Sequence, residues 1–218
     1  ADCVISQTGF TGEKGYEIYV RDAHENAEKM WNAVLEAGEE FGLMVIAPAH
    51  HRRIAAGILS WGQDLDHETS PFQVNLSYQV PRNKAADYIG KEALEKQRAT
   101  IDEGKAPFKM KMVGITLGGK EITDYAPDFW IVTDTDENEV GFVTSPWWSP
   151  ELETNIALAW VPWDASEVGT KYMVKLPDEY SESPGVAVDA EIVDVPFRES
   201  VNPNKREVQA AKGLDYAD

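Results

Sequence analysis

The chain has a single cysteine, Cys3, in 218 residues, which excludes an intrachain disulfide framework and suits a reducing, cytoplasmic setting. No histidine lies near Cys3 in sequence, so it reads as a small strand residue rather than a nucleophile. Bases are scarce: 20 Lys and Arg stand against 38 Asp and Glu, a net charge of −18. A nucleic-acid binder needs a basic surface, and so does a protein docking on anionic lipid, so both partner classes are set aside. No apolar run approaches the roughly 20 residues that cross a bilayer. No secretory signal, internal repeat or low-complexity tract is visible.

What the chain does have is glycine in a pattern. Gly9, Gly12 and Gly15 recur every third residue between two strand-like runs, Cys3 to Gln7 and Tyr16 to Val20. Three such residues make a tight, φ-permissive turn. Strand alternation places Tyr16, Ile18 and Val20 on one face and Glu17 and Tyr19 on the other. Glu17 is therefore a carboxylate on a rigid strand just past a glycine turn. Such an acid can hold a flat, nitrogen-rich heterocycle by accepting paired N–H donors. The alternative is a solvated acid on a surface hairpin.

Beyond the turn, residues 22–41 carry Ala23, Ala27, Met30, Trp31, Val34 and Leu35 at helical spacing, with Asp22 and Glu25 set as a capping box. The run 43–47 reads as a strand, and Pro48 opens a second helix to about residue 59. A loop follows over 62–71, an extended segment over 72–80, and a helix from Gly90 to about Glu103. After a linker at 102–107 the period changes to short alternating runs at 108–117, 129–133, 139–144, 155–161, 170–176 and 187–195, separated by Gly, Pro, Asp and Asn. That spacing suggests a small barrel or sandwich.

Four ordered motifs carry a family resemblance. Thr8 to Val20 resembles the TGYTGE-G-(Y/F/V)-E-I motif of the glycine cleavage T-protein family, the tetrahydrofolate-dependent aminomethyl and methyl transferases. Gly57-Ile58-Leu59-Ser60-Trp61-Gly62-Gln63-Asp64-Leu65-Asp66 and the following His67 to Pro71 are similar to its glycine- and aspartate-rich loop. Tyr88-Ile89-Gly90-Lys91-Glu92-Ala93-Leu94 resembles its IGK segment, and Gly141 to Ser145 with Ser149-Pro150 and Asn155 to Ala159 its C-terminal barrel signature. The resemblance implies an α+β fold: an antiparallel sheet with helices over 1–103, a small antiparallel β-barrel over 107–200, and a polar tail over 201–218. It implies tetrahydrofolate as cofactor, with Glu17 on the pterin ring. Family members begin with a long N-terminal portion, so the chain is expected to be a C-terminal part, inactive alone, with its catalytic residues lying elsewhere.

One departure steers the reading within the family. Ala49 stands where the glycine cleavage enzymes carry a folate-contacting Arg. That, with Pro196-Phe197-Arg198 and Asn202-Pro203-Asn204, points toward the O- or S-demethylase branch, with a small-molecule methyl donor. The alternatives are the aminomethyltransferase, whose partner is a lipoyl-carrier protein, and a non-catalytic folate binder. His50 and His51 are candidates for proton transfer to a leaving group, against a helix-surface pair. Arg53 shares the face of His50 as a candidate cofactor contact, against an exposed helix base. Trp61, expected at the end of the second helix, is a candidate for stacking on the cofactor, against a core anchor. Asp64, Asp66, His67 and Glu68 read as a solvated acidic loop, with no metal. Trp147 and Trp148 read as packing residues at a domain junction.

Overall fold

The computed structural model describes residues 2–82 and 84–197. The expected tail over 201–218, with Arg198 and the Asn202-Pro203-Asn204 turn, lies outside them. The first strands, β1 (Cys3–Ser6) and β2 (Glu17–Val20), pair antiparallel with Ser6 opposite Glu17 and Cys3 opposite Val20. Helix α1 (Ala23–Gly38) follows directly. Its cap differs from the expected box: Asp22 sits in the left-handed region at φ 49°, and its backbone carbonyl, not its side chain, receives the N–H groups of Glu25 and Asn26.

Three further expectations are corrected. Residues 43–47 form no strand; Met44 and Ile46 are 79% and 74% exposed, and the run pairs with neither strand of the two-stranded β1-β2 sheet. The second helix, α2, is short, His50–Ala55. Gly57 ends it at φ 71°, with its N–H on the Ile54 carbonyl and that of Ile58 on the Arg53 carbonyl. This paired closure requires a left-handed residue, which glycine adopts without a Cβ penalty. The 72–80 segment is a series of turns rather than extended, tied to the barrel by the Met112 N–H on the Gln73 carbonyl at 2.7 Å. Helix α3 (Lys91–Asp102) then leads to the barrel.

All six alternating runs become strands: β3 (Met110–Leu117), β4 (Trp130–Thr133), β5 (Glu139–Ser149), β6 (Thr154–Pro162), β7 (Lys171–Val174) and β8 (Val188–Val193). They close antiparallel in the order β3-β6-β5-β4-β7-β8, which leaves no open edge. The inward-facing Val113, Ile115, Val132, Val161, Val174 and Ile192 fill the interior. The opposite face of the same strands is also covered. Met112 of β3 and Ile156, Leu158 and Trp160 of β6 pack with Ile54 and Ala55 of α2, Val74 and Phe197. Burial on both faces is why β6 reads as an almost unbroken apolar run. One core thus sits inside the barrel and a second joins the barrel to α2. Among the described residues no helix is long and apolar enough to cross a membrane.

Candidate functional site

Glu17 opens β2, half-buried, on the same face as Tyr19. Its Oε2 accepts from the Tyr19 hydroxyl at 3.0 Å and, in a very short contact, from the Thr8 hydroxyl, which itself lies 3.1 Å from Ser6 Oγ. Its other oxygen accepts no bond from the described residues. One carboxylate oxygen is therefore fixed by local hydroxyls, and the second stands ready for a donor from outside.

The glycine turn docks this hairpin on α2. Gly12 has φ 72°, and a Cβ built there would lie 2.4 Å from Ala56 Cβ. Only glycine permits both the backbone angle and the approach. Two residues earlier, the Phe10 ring lies 6.0 Å from the Arg53 guanidinium. Turn and helix thus bring Phe10 to Arg53 and Gly12 to Ala56.

Arg53 is not an exposed helix base. It is 2% exposed, and Nη1 bonds Asp64 Oδ2 at 2.7 Å and the Ile58 carbonyl at 3.2 Å. Nη2 donates to Ser145 Oγ at 2.8 Å and Gln63 Oε1 at 3.3 Å; Nε has no hydrogen-bond partner among the described residues. Asp64, expected in a solvated loop, is equally buried. It also accepts from the Ser60 N–H at 2.7 Å, Thr144 Oγ1 at 2.6 Å and Ser145 Oγ at 2.5 Å, while its carbonyl receives the Trp160 indole N–H at 3.1 Å. A bulge explains how two consecutive residues reach one carboxylate. The β5–β6 register shifts between Val143 and Ser145, so Thr144 and Ser145 no longer point to opposite faces. The remaining acids of that loop, Asp66 and Glu68, and His67 are exposed. Among the described residues no group of three or more His, Cys, Asp or Glu is placed to hold a metal.

His50 packs between Tyr125 and Trp147, with ring centroids at 5.1 and 5.2 Å. The Tyr125 hydroxyl donates to Gln63 Oε1 at 2.7 Å, and Gln63 Nε2 donates to the Thr144 carbonyl at 2.7 Å. Burial first, then the charge of Arg53, lowers the His50 pKa below its ordinary 6.5. His51 is lowered by burial and by Arg52, against an opposing pull from Glu151. Both are neutral imidazoles at neutral pH. Trp61 does not end α2: it lies six residues beyond Ala55 and is 69% exposed, so it is no core anchor. Gln63, Tyr125, Thr144 and Ser145 carry no signal in residue type, and Asp64 reads only as one acid of a solvated loop. The signal that held four of them was the motif text itself, in the loop and the barrel signature.

Comparison with known proteins follows the same division. Residues 1–84 match the GCVT N-terminal domain, and residues 110–198 match the glycine cleavage T-protein C-terminal barrel domain. The chain is 34% identical over 196 residues to an aminomethyltransferase of Geobacillus sp. (strain WCH70), covering 89% of this chain and 49% of that protein. It is 35% identical over 199 residues to an aminomethyltransferase of Oceanobacillus iheyensis, covering 90% and 48%. In structure it is similar to the glycine cleavage system aminomethyltransferase T from Bartonella henselae, with a TM-score of 0.69, 23% identity, and coverage of 88% of this chain and 49% of that one. The chain spans about half the length of the curated relatives it matches. With both domain models matched in order along it, the chain belongs to the glycine cleavage T-protein family.

Proposed function

We propose that the protein serves tetrahydrofolate-dependent transfer of a one-carbon group, with Glu17 as the acid that holds the pterin. The observation that carries this is the carboxylate itself, anchored through one oxygen by Thr8 and Tyr19 with the other left open. An ionised carboxylate in that state accepts charge-assisted N–H bonds from an aminopyrimidinone edge. The exposed Trp61 ring offers a face for stacking, and neutral His50 offers an imidazole able to take or give a proton. Arg53 supports the site from behind, through Phe10 and the Asp64 pair, rather than touching the ligand.

The transferred group is read as aminomethyl. The relatives at 34–35% identity are named aminomethyltransferases, and none of the comparisons reported above favours the O- or S-demethylase branch expected from Ala49. The partner is then a lipoyl-carrier protein that presents the aminomethyl group. Calorimetric titration with tetrahydrofolate tests the first part. Glu17→Gln keeps the size but replaces one acceptor with a donor, so affinity falls by about 1.5–3 kcal/mol, roughly 10- to 150-fold, with an unchanged melting curve. Equal affinities would return Glu17 to a solvated hairpin. Binding of an aminomethyl-loaded lipoyl-carrier protein, compared with binding of an O- or S-methyl donor, tests the second part.

A further inference from the structure

The strand parity that fills the barrel interior with Val113, Ile115 and Leu117 places Lys111 on the same inward side, two residues nearer the barrel end. There the chain leaves β6 at Pro162 and turns back through Trp163, whose N–H bonds the Lys109 carbonyl at 2.9 Å. The Lys111 ammonium lies 5.3 Å from the Trp163 ring centroid. It makes no ion pair and no hydrogen bond with any described residue. Burial lowers its pKa below the ordinary lysine value.

Helix α3 and the 77–80 turn wall this barrel mouth and add charge of the same sign. Arg98 lies 4.9 Å over Phe72 and donates to the carbonyls of Ser77 at 3.3 Å and Val80 at 2.5 Å. Arg82 is held by both oxygens of Asp102, each at 2.9 Å. Three cations and one carboxylate line the pocket, a local surplus of two positive charges on a chain whose net charge is −18. Where acids outnumber bases nearly two to one, a half-buried lysine without a carboxylate is a donor held for something else. Barrel mouths are also a preferred place for small-molecule sites.

We propose that this barrel-mouth pocket, of about 410 Å³, binds a small carboxylate with an apolar or aromatic body, the carboxylate on Lys111 and the body against Ile101 and Trp163. Arg98 and Arg82 are engaged by their own partners and act at longer range, as a positive field rather than as direct contacts. The apolar wall selects against a bare inorganic anion, which would leave that surface uncovered. None of Glu17, His50 or Trp61 lines this pocket, so the proposal stands apart from the folate reading.

Benzoate is the probe. Calorimetric titration is expected to give saturable binding at or below about 1 mM, with inorganic phosphate at least about tenfold weaker. Lys111→Met should weaken benzoate by at least about tenfold, Lys111→Arg should retain most of it, and Lys175→Met, on an exposed lysine paired with Glu139, should change nothing. In the unmutated protein, benzoate should quench tryptophan emission in a way lost in Trp163→Phe, and about 0.5 M salt should weaken it. The quenching and salt readouts stand even if Lys111→Met fails to fold. No saturable benzoate binding, an unchanged affinity in folded Lys111→Met, or phosphate binding as tight as benzoate would each overturn the proposal.

Discussion

Asp64→Ala is the most exacting test of how the two parts of the molecule are joined. Asp64 receives Arg53 Nη1, the Ser60 N–H, Thr144 Oγ1 and Ser145 Oγ, all at 2.5–2.7 Å and all but the Ser60 bond fully buried. Removing it strips the buried guanidinium of its counter-charge and leaves the Ser145 hydroxyl and the Ser60 N–H short of an acceptor, while Thr144 keeps only the Leu158 carbonyl at 3.3 Å. Breaking one side of a buried pair costs about 3–5 kcal/mol, because the surviving charge stays desolvated. The same reasoning fixes what a double variant must do. Arg53→Met with Asp64→Leu removes both charges, so its cost should fall well below the sum of the singles, with a coupling of about 2 kcal/mol or more. Urea unfolding followed by tryptophan emission reads this directly, since the Trp160 indole donates to the Asp64 carbonyl. An Asp64→Ala cost under about 1 kcal/mol, or strict additivity in the double variant, would refute the view that this pair is the joint.

Gly12→Ala should destabilise by about 1–3 kcal/mol, since it adds a methyl in the left-handed region against Ala56, and Ala56→Gly should recover part of that in thermal melts. Stability should fall as pH drops from 7.5 to 5.5: His50 and His51 are depressed when folded, so the unfolded chain binds more protons once pH passes below its ordinary 6.5. The loss should level off below the folded pKa values, and His50→Gln should flatten the slope measured by urea melts at each pH. Trp61→Ala should leave the unfolding midpoint unchanged, because the ring is 69% exposed, while tetrahydrofolate affinity falls by about 0.5–1.5 kcal/mol in fluorescence titration.

The barrel was legible because its signal is local. Each strand alternates, each is bounded by turn residues, and the interior and exterior sets of β3 and β6 follow from parity alone. The hairpin was legible for the same reason, with Glu17 and Tyr19 on one face. The expected strand at 43–47 failed because β-propensity describes a fit to a neighbouring strand, and this run has none among the described residues. The second helix was overextended because Ile58 and Leu59 continue the apolar spacing, whereas Gly57 closes the backbone before they can join it.

The joint was hidden for a different reason. Arg53 and Asp64 read as surface residues because charged side chains are rarely buried, and each is buried only because the other is there. Neither fact is visible from one residue's neighbours in sequence. The arrangement also depends on a one-residue bulge at Thr144, and a bulge has no composition signature in a run such as Val143-Thr144-Ser145. Yet three of the four motif segments converge on this point: the Gly12 turn against Ala56, the loop aspartate, and the barrel threonine and serine. Much of what makes the sequence recognisable is therefore the cost of holding the glycine-turn hairpin and the Asp64 loop against α2 and the barrel. Under the proposed function, the residues that define the chemistry are the few that this joint leaves over, the open oxygen of Glu17, the His50 imidazole and the Trp61 ring. Substitution at those three positions should alter ligand affinity without altering the fold, whereas substitution within the joint should alter both together.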